Sequence, residues 1–493
     1  MSHKLIIKDA VWQLIRILSA IMGLLVIKMI SPYLGPYRFG DYKTILDYFA
    51  IWALADFLYV IALKTLGAIK ERYVTGSVDE EEKKELQTYY GKFVFSRMLT
   101  IGLVYVVAIV LAYLIPSYTS NPYLIRLPLM LFSASFMMAG IVQLPLQLFW
   151  RMEQVSLALV ARFCQVAFLA VVMYWLFPQD IFGDSIPRVV FALIVFSILL
   201  SGVAQVFVWR KSQRFLPLKL VPDFSYTRLI KQNWQYGSAY FLSSFHTLFV
   251  AILFSVFYPT IEGFDYVGIW SLALVFMTVL IIIPATLGNS MIHKVGSASE
   301  EAKRSSLGHF LTLVVRVTVI LLGCTAFADQ IIYFLGDASF LGTWDNPGSN
   351  TLMPWMALIL IGSFVKQSFN YNFVAHDKQH LLLWVNLIGV VVGVPLAIWF
   401  VRDFLILWGQ GLLELLFMGA IFFSLKKDIL PRIPWKMFSA VVGLCLLFLY
   451  LSRFVQRVPY DNLFLSLLWL IFFLPFLLVS YFLLKKIARG LSV

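Results

Sequence analysis

Apolar runs long enough to cross a bilayer follow one another along the chain, separated by short polar breaks. They fall at about 11–31, 40–66, 91–115, 124–149, 155–177 and 187–209, and then at 234–258, 266–291, 306–335, 351–374, 381–400, 403–425, 436–452 and 462–484. The pattern predicts an all-α polytopic membrane protein of about 14 transmembrane helices. The longest polar break, Trp209 to Trp234, divides six runs from eight. A second charged stretch, Lys70 to Gln87, reads as a solvated linker rather than a surface helix.

Loop charges orient the chain. With the N-terminus inside, the outer segments hold only Arg38, Arg126, Arg188, Arg402, Arg453 and Arg457, and most other cations fall in inner loops. Both termini are then cytoplasmic, and the membrane is expected to be the cytoplasmic (inner) one. The opening residues, MSHKLIIKDAVWQLIRIL, carry no small-residue cleavage site and read as the inner start of the first span.

A short repeat crosses the central break. PYRFGDY (Pro36 to Tyr42) resembles FDYVGIW (Phe264 to Trp270), with Gly40 and Gly268 near the start of a long helix in each. QLFWRMEQ (Gln147 to Gln154) similarly resembles NFVAHDKQ (Asn372 to Gln379). Repeats of six helices enter the membrane in the same direction, so they are related by an axis along the membrane normal. The expected organisation is an N-terminal lobe at 1–209, a cytoplasmic linker at 210–233, a C-terminal lobe at 234–425 and two additional helices within 426–493.

Composition agrees. Hydrophobic residues make up 61% of the 493 and charged ones 13%, with a mean hydropathy of +0.85. The net charge of +13 reflects inner loops, which argues against nucleic acid as a partner. Cys164, Cys324 and Cys445 all sit within apolar runs, in keeping with packing and not with a disulfide framework or metal site.

Charges within the spans change the picture. Arg16, Lys28, Lys43, Lys64, Arg97, Arg162, Arg316 and Lys366 are the cations, and Asp47, Asp56 and Glu414 the acids. Each central charge costs roughly 3 kcal/mol on insertion scales. Those near helix ends, such as Lys28 and Lys64, can snorkel, but the deeper ones need a partner or a wet cavity. Lys43 and Asp47 are spaced as an i,i+4 pair, and Asp56 suits a structural partner of Arg97 or Arg162 better than a proton carrier. The remaining cation surplus suits a cavity that receives an anion.

Arg16, Lys28, Lys43, Arg97, Arg162, Arg316 and Lys366 are the candidate anion-binding residues. Gln143, Gln147, Asn370 and Gln410 are candidates to contact sugar hydroxyls, although such residues also join helices to one another. Asp56, Glu414 and His246 are candidates for coupling to Na⁺ or H⁺. Pro145, Pro284 and Pro395 interrupt helices and permit bending. No phosphate-loop motif, nucleophile elbow or zinc signature occurs in the chain, so no enzyme activity and no cofactor are expected.

The first hairpin, ISPYLGPYRFGDYKTILDYFAIWALADFLYVIALKTLG, resembles that of Wzx-type polysaccharide flippases of the multidrug/oligosaccharidyl-lipid/polysaccharide exporter superfamily. The resemblance rests on Leu34-Gly35-Pro36, Phe39-Gly40, Tyr42 and Ala55-Asp56-Phe57, and departs at Leu58, where the family commonly carries Gly. It implies alternating access by a monomer that moves an undecaprenyl-(pyro)phosphate-linked oligosaccharide from the inner to the outer leaflet, for polysaccharide or O-antigen synthesis. Cations would hold the phosphate and polar residues the glycan, while the tail stays among membrane lipids. Pro32, Gly35 and Pro36 would form the outer turn, with Lys28 and Lys43 beneath it. Fourteen helices are also similar to the lipid II flippase branch, and a cation-coupled multidrug exporter shares the two-lobe fold, though a cationic drug would favour an acidic cavity.

Overall fold

The computed structural model describes residues 79–114, 265–276 and 327–343 continuously, and parts of 24–43, 199–242, 324–356, 380–391 and 471–486. Backbone packing divides the chain into two compact units. One comprises Met1–Met29 and Asp41–Phe264, the other Ile30–Gly40 and Asp265–Val493.

The first unit is best described along the helix Glu80–Leu114, 35 residues long. A solvated linker is expected over 70–87, yet this helix starts at Glu80, for reasons that are local. The Asp79 carboxylate accepts the Glu82 N–H at 2.7 Å, and the Asp79 carbonyl accepts that of Lys83 at 3.1 Å. The first satisfies an amide group that an uncapped first turn would leave without a partner, and the second is the helix's own first bond. Glu80, Glu81 and Glu82 then sit at the positive end of the helix dipole. Lys83 bonds Glu80 at 2.5 Å and holds its carboxyl below the ordinary range.

Beyond the charged turns the helix has two faces. Leu86, Tyr90, Phe93, Val94, Arg97, Ile101 and Val104 are buried at the spacing of one helical stripe. Leu99, Leu103, Val106 and Val110 form the opposite stripe, and Leu103 is 67% exposed.

Against the start of this helix runs the extended strap 217–222. Gln87 Nε2 donates to the Pro217 carbonyl at 3.0 Å, and Gln213 Oε1 accepts the Leu218 N–H at 2.7 Å. The approach is so close that a Cβ on Gly91 would lie 1.9 Å from the Lys219 carbonyl oxygen. Glycine is therefore a requirement of this crossing.

In the second unit, the helical residues 30–32 and 34–40 pack with 265–276 and with the helix Ala328–Gly336, which a 3-10 turn at Ala338–Phe340 follows. Helix resumes at 349, close to the expected start of the tenth span, and Ala328–Gly336 ends within a residue of the expected end of the ninth. Asp337, at φ 75°, ends that helix, and its carboxylate accepts both the N–H and the hydroxyl of Ser339. The loop beyond is tied down by Asn350. Its Oδ1 accepts the Gly342 N–H at 2.9 Å, and its Nδ2 reaches Asp329 Oδ1 at 2.8 Å and the Gly342 carbonyl at 3.2 Å.

Counted over the described residues alone, no helix is long and apolar enough to cross a membrane. The described side chains of Glu80–Leu114 stop at Val110, and most expected spans lie outside the described residues. What those residues do show is a set of exposed aliphatic and aromatic stripes at helical spacing. Besides 99–110, they are Leu199, Val203 and Val206; Trp384, Ile388 and Val391; and Ile471, Leu474, Leu478 and Phe482. Water does not favour several such stripes on one chain, whereas hydrocarbon does.

Candidate functional site

Three of the expected cavity cations lie among the described residues. Arg16, Arg162, Arg316 and Lys366 lie outside them, as do the sugar-contacting candidates Gln143, Gln147, Asn370 and Gln410 and the coupling candidates Asp56, Glu414 and His246.

Arg97 carries the most information. It stands on the buried stripe of Glu80–Leu114, four residues beyond Phe93 and four before Ile101, and is only 2% exposed. The aliphatic stripe at Leu99, Leu103 and Val106 points elsewhere. The guanidinium is thus buried, on the face of the helix opposite the exposed aliphatic stripe. A permanently charged group is costly to bury, so the position marks a site or a structural ion pair. Lys28 and Lys43 are half-buried on helical backbone. Both belong to the first unit, whereas the residues between them from Ile30 to Gly40 belong to the second.

The expected turn at Pro32, Gly35 and Pro36 takes a particular form. Gly35 has φ +64°, between helical turns on either side. That left-handed conformation suits glycine, and the fixed φ of Pro36 suits the first position of the helix that follows.

The segment makes close contacts within the second unit. Ser31 Oγ, fully buried, donates to the Leu335 carbonyl at 2.5 Å. The Phe39 and Phe340 rings meet edge to face with centroids 5.8 Å apart. A Cβ on Gly268 would lie 1.9 Å from the Pro36 carbonyl oxygen and 3.0 Å from the Gly40 nitrogen. Gly40 and Gly268 are the glycines matched by the internal repeat, and here their backbones touch. The repeat signalled Gly40 and Gly268; Ser31, Leu335, Phe39 and Phe340 have no comparable local signal.

Asp329 is a further acid within an expected span, 306–335, beside Asp47, Asp56 and Glu414. Its bond to Asn350, which in turn holds Gly342, makes it part of the loop's framework.

No protein-family model and no curated protein matches the chain. Solved structures do. Lipid II flippase MurJ in an inward closed conformation superposes with a TM-score of 0.65 at 13% identity, covering 97% of this chain and 98% of that one. A multidrug resistance MATE family transporter of the MOP superfamily, inward-facing, gives 0.54 at 14% identity over 84% of this chain and 99% of that one. A eukaryotic MATE transporter gives 0.57 at 13% identity over 90% and 96%. The mostly helical chain therefore has the fold seen in these structures.

Proposed function

We propose that the protein is a flippase for a polyprenyl-(pyro)phosphate-linked oligosaccharide, working by alternating access through a cationic cavity. The observation that carries this reading is Arg97: a buried guanidinium on a helix whose other face is aliphatic and exposed. An anionic headgroup offsets the desolvation of such a charge and of the other cations expected near it, Arg16, Lys28, Lys43, Arg162, Arg316 and Lys366. Gln143, Gln147, Asn370 and Gln410 serve the sugars in this reading, and Asp56, Glu414 or His246 the coupling ion, Na⁺ or H⁺.

The topology proposed with it has fourteen spans in two six-helix lobes, 1–209 and 234–425, joined by a cytoplasmic linker. Two further helices follow, and both termini lie in the cytoplasm of a cell whose inner membrane holds the protein as a monomer.

A second reading, transport of a lipid II-type peptidoglycan precursor, is favoured by the likeness to MurJ over nearly the full length of both chains. Both readings require a lipid-linked anion, and they differ in the glycan. Multidrug export fits less well, because a cationic drug gains nothing from a cationic cavity.

The test is transport by the purified full chain in proteoliposomes. Fluorescent polyprenyl-pyrophosphate oligosaccharide, fluorescent lipid II and a cationic dye are supplied separately. Movement of the oligosaccharide lipid is expected; movement of lipid II alone selects the second reading. Movement of the dye alone overturns both.

A further inference from the structure

We propose that Lys92, Arg210 and Lys219 form a cationic band that binds the headgroups of anionic phospholipids where the first unit leaves the membrane, with Leu220 seated among them. This rests on the membrane-spanning reading above and is independent of what the protein transports.

Two exposed stripes place the band. On Glu80–Leu114 the exposed aliphatic face runs through Val110, Val106, Leu103 and Leu99. Seven residues nearer the N-terminus, the same face carries the half-buried Lys92. On the helical residues that lead to the strap, Leu199, Val203 and Val206 are exposed. The next place on that face is Arg210, which is also exposed. Each stripe thus ends on a cation. A long basic side chain in such a position keeps its stem along apolar surface and its charge among headgroups.

The strap 217–222 joins the two ends. Gly91 lies against the Lys219 carbonyl, one residue from Lys92. Gln213, whose N–H donates to the Trp209 carbonyl at 3.0 Å, holds the Leu218 N–H through its Oε1. The strap therefore connects the helix ends that carry Lys92 and Arg210, and its own Lys219 and Leu220 are exposed. An exposed leucine beside an exposed lysine, on an extended segment held down by its backbone, suits a boundary that is part apolar and part anionic.

Depth agrees with this placement. At 1.5 Å per residue, Lys92 stands about 10 Å beyond Leu99 along the helix. A headgroup layer is roughly 5–8 Å deep, and the lysine side chain spans the remainder. The acids of the first turns, Asp79, Glu80, Glu81, Glu82 and Glu85, with Lys83 and Lys84 among them, begin about 10 Å further out again. That is about one Debye length at 0.1 M salt, so the acids are screened from the headgroups while the cations are not. The local sequence has the matching sign. Between Arg210 and Pro222 it contains Arg210, Lys211, Arg214 and Lys219 and no acid. A cluster of this size beside a membrane span is the pattern that concentrates anionic lipid.

The experiment uses the full chain with Cys164, Cys324 and Cys445 replaced by Ala and Leu220→Cys as reporter. It is placed in nanodiscs of phosphatidylcholine alone, or of phosphatidylcholine mixed with phosphatidylglycerol. Alkylation by an uncharged, membrane-impermeant maleimide is timed. Slowing by phosphatidylglycerol of at least about fivefold is expected. The slowing should vanish in Arg210→Gln/Lys219→Gln, both exposed positions, and should be absent when the reporter is moved outward to Glu81→Cys. Inorganic phosphate added to phosphatidylcholine discs should not reproduce it. Equal rates in the two lipids, or slowing that survives the double glutamine replacement, overturns the band. Slowing by inorganic phosphate alone overturns lipid as its ligand. Failure of the parent chain to enter nanodiscs overturns the membrane reading and the band with it, whereas equal rates in inserted protein overturn the band alone.

Discussion

Gly91→Ala offers a sharp test of the packing in the first unit. The added methyl would lie 1.9 Å from the Lys219 carbonyl oxygen, 3.0 Å from its carbon and 3.3 Å from a Val221 methyl. A carbon and a carbonyl oxygen settle at about 3.3–3.6 Å, so the strap 217–222 must lift by roughly 1.5 Å. Two of the three nearest atoms are backbone, and no rotamer change relieves them. Lifting also stretches the Gln87–Pro217 hydrogen bond beyond use. Overpacking of this kind typically costs about 1–3 kcal/mol, which at 1.4 kcal/mol per decade corresponds to roughly a 5- to 150-fold rise in the undocked population. Trypsin cleavage after the exposed Lys219 reads that population when cleavage is slow relative to redocking. Gly102→Ala is the matched control on the same helix, because nothing lies within 4 Å of its Cβ. It should leave cleavage unchanged and raise helix stability by up to about 1 kcal/mol. Equal cleavage rates in Gly91→Ala and the parent protein would refute the docked strap.

Two further outcomes follow from the second unit. Asn350→Ala deprives the half-buried Gly342 N–H and Asp329 carboxylate of a partner. Thermal unfolding in detergent should show a loss of about 2–4 kcal/mol, together with protease sensitivity between 337 and 348. Ser271→Ala has the opposite sense. The Ser271 hydroxyl is fully buried and lacks a hydrogen-bond partner among the described residues, so its removal should leave stability unchanged or raise it by up to about 1 kcal/mol in the same assay.

Some of the local architecture was legible in the sequence because it follows from where apolar runs begin and end. The apolar run expected at 91–115 lies along the helix Glu80–Leu114, whereas which of its faces is buried was not legible, since Phe93 and Ile101 are as apolar as the exposed Leu99, Leu103 and Val106. The helix end at Gly336 and the helix start at Ser349 fall close to where the sequence's apolar runs 306–335 and 351–374 stop and begin. The repeat around Gly40 and Gly268 was also visible, and the structure puts those two residues in contact.

Misses occurred where local composition and longer-range forces disagree. Glu80 to Gln87 is too charged to register as part of a span, but the Asp79 cap, the helix dipole and the Lys83–Glu80 pair make it helical. The seating of 30–40 against Leu335 and Phe340 spans some 300 residues of sequence and leaves no periodic trace. Asp329 hides within an apolar run because its only unusual feature is Asn350, 21 residues later. Of the candidate cavity, Arg97 could be recognised as a charge that no lipid-facing helix would carry, whereas its orientation needed coordinates.

The central claim is that an anionic lipid headgroup is drawn to buried cations on helices such as Glu80–Leu114. The most direct measurement is the initial rate of fluorescent oligosaccharide-pyrophosphate-polyprenol flipping in proteoliposomes, compared among the parent protein, Arg97→Lys and Arg97→Gln at equal inserted amounts. The account predicts at least a tenfold fall for Arg97→Gln and a smaller one for Arg97→Lys, which keeps the charge but loses the planar fork. Equal rates in all three would contradict it.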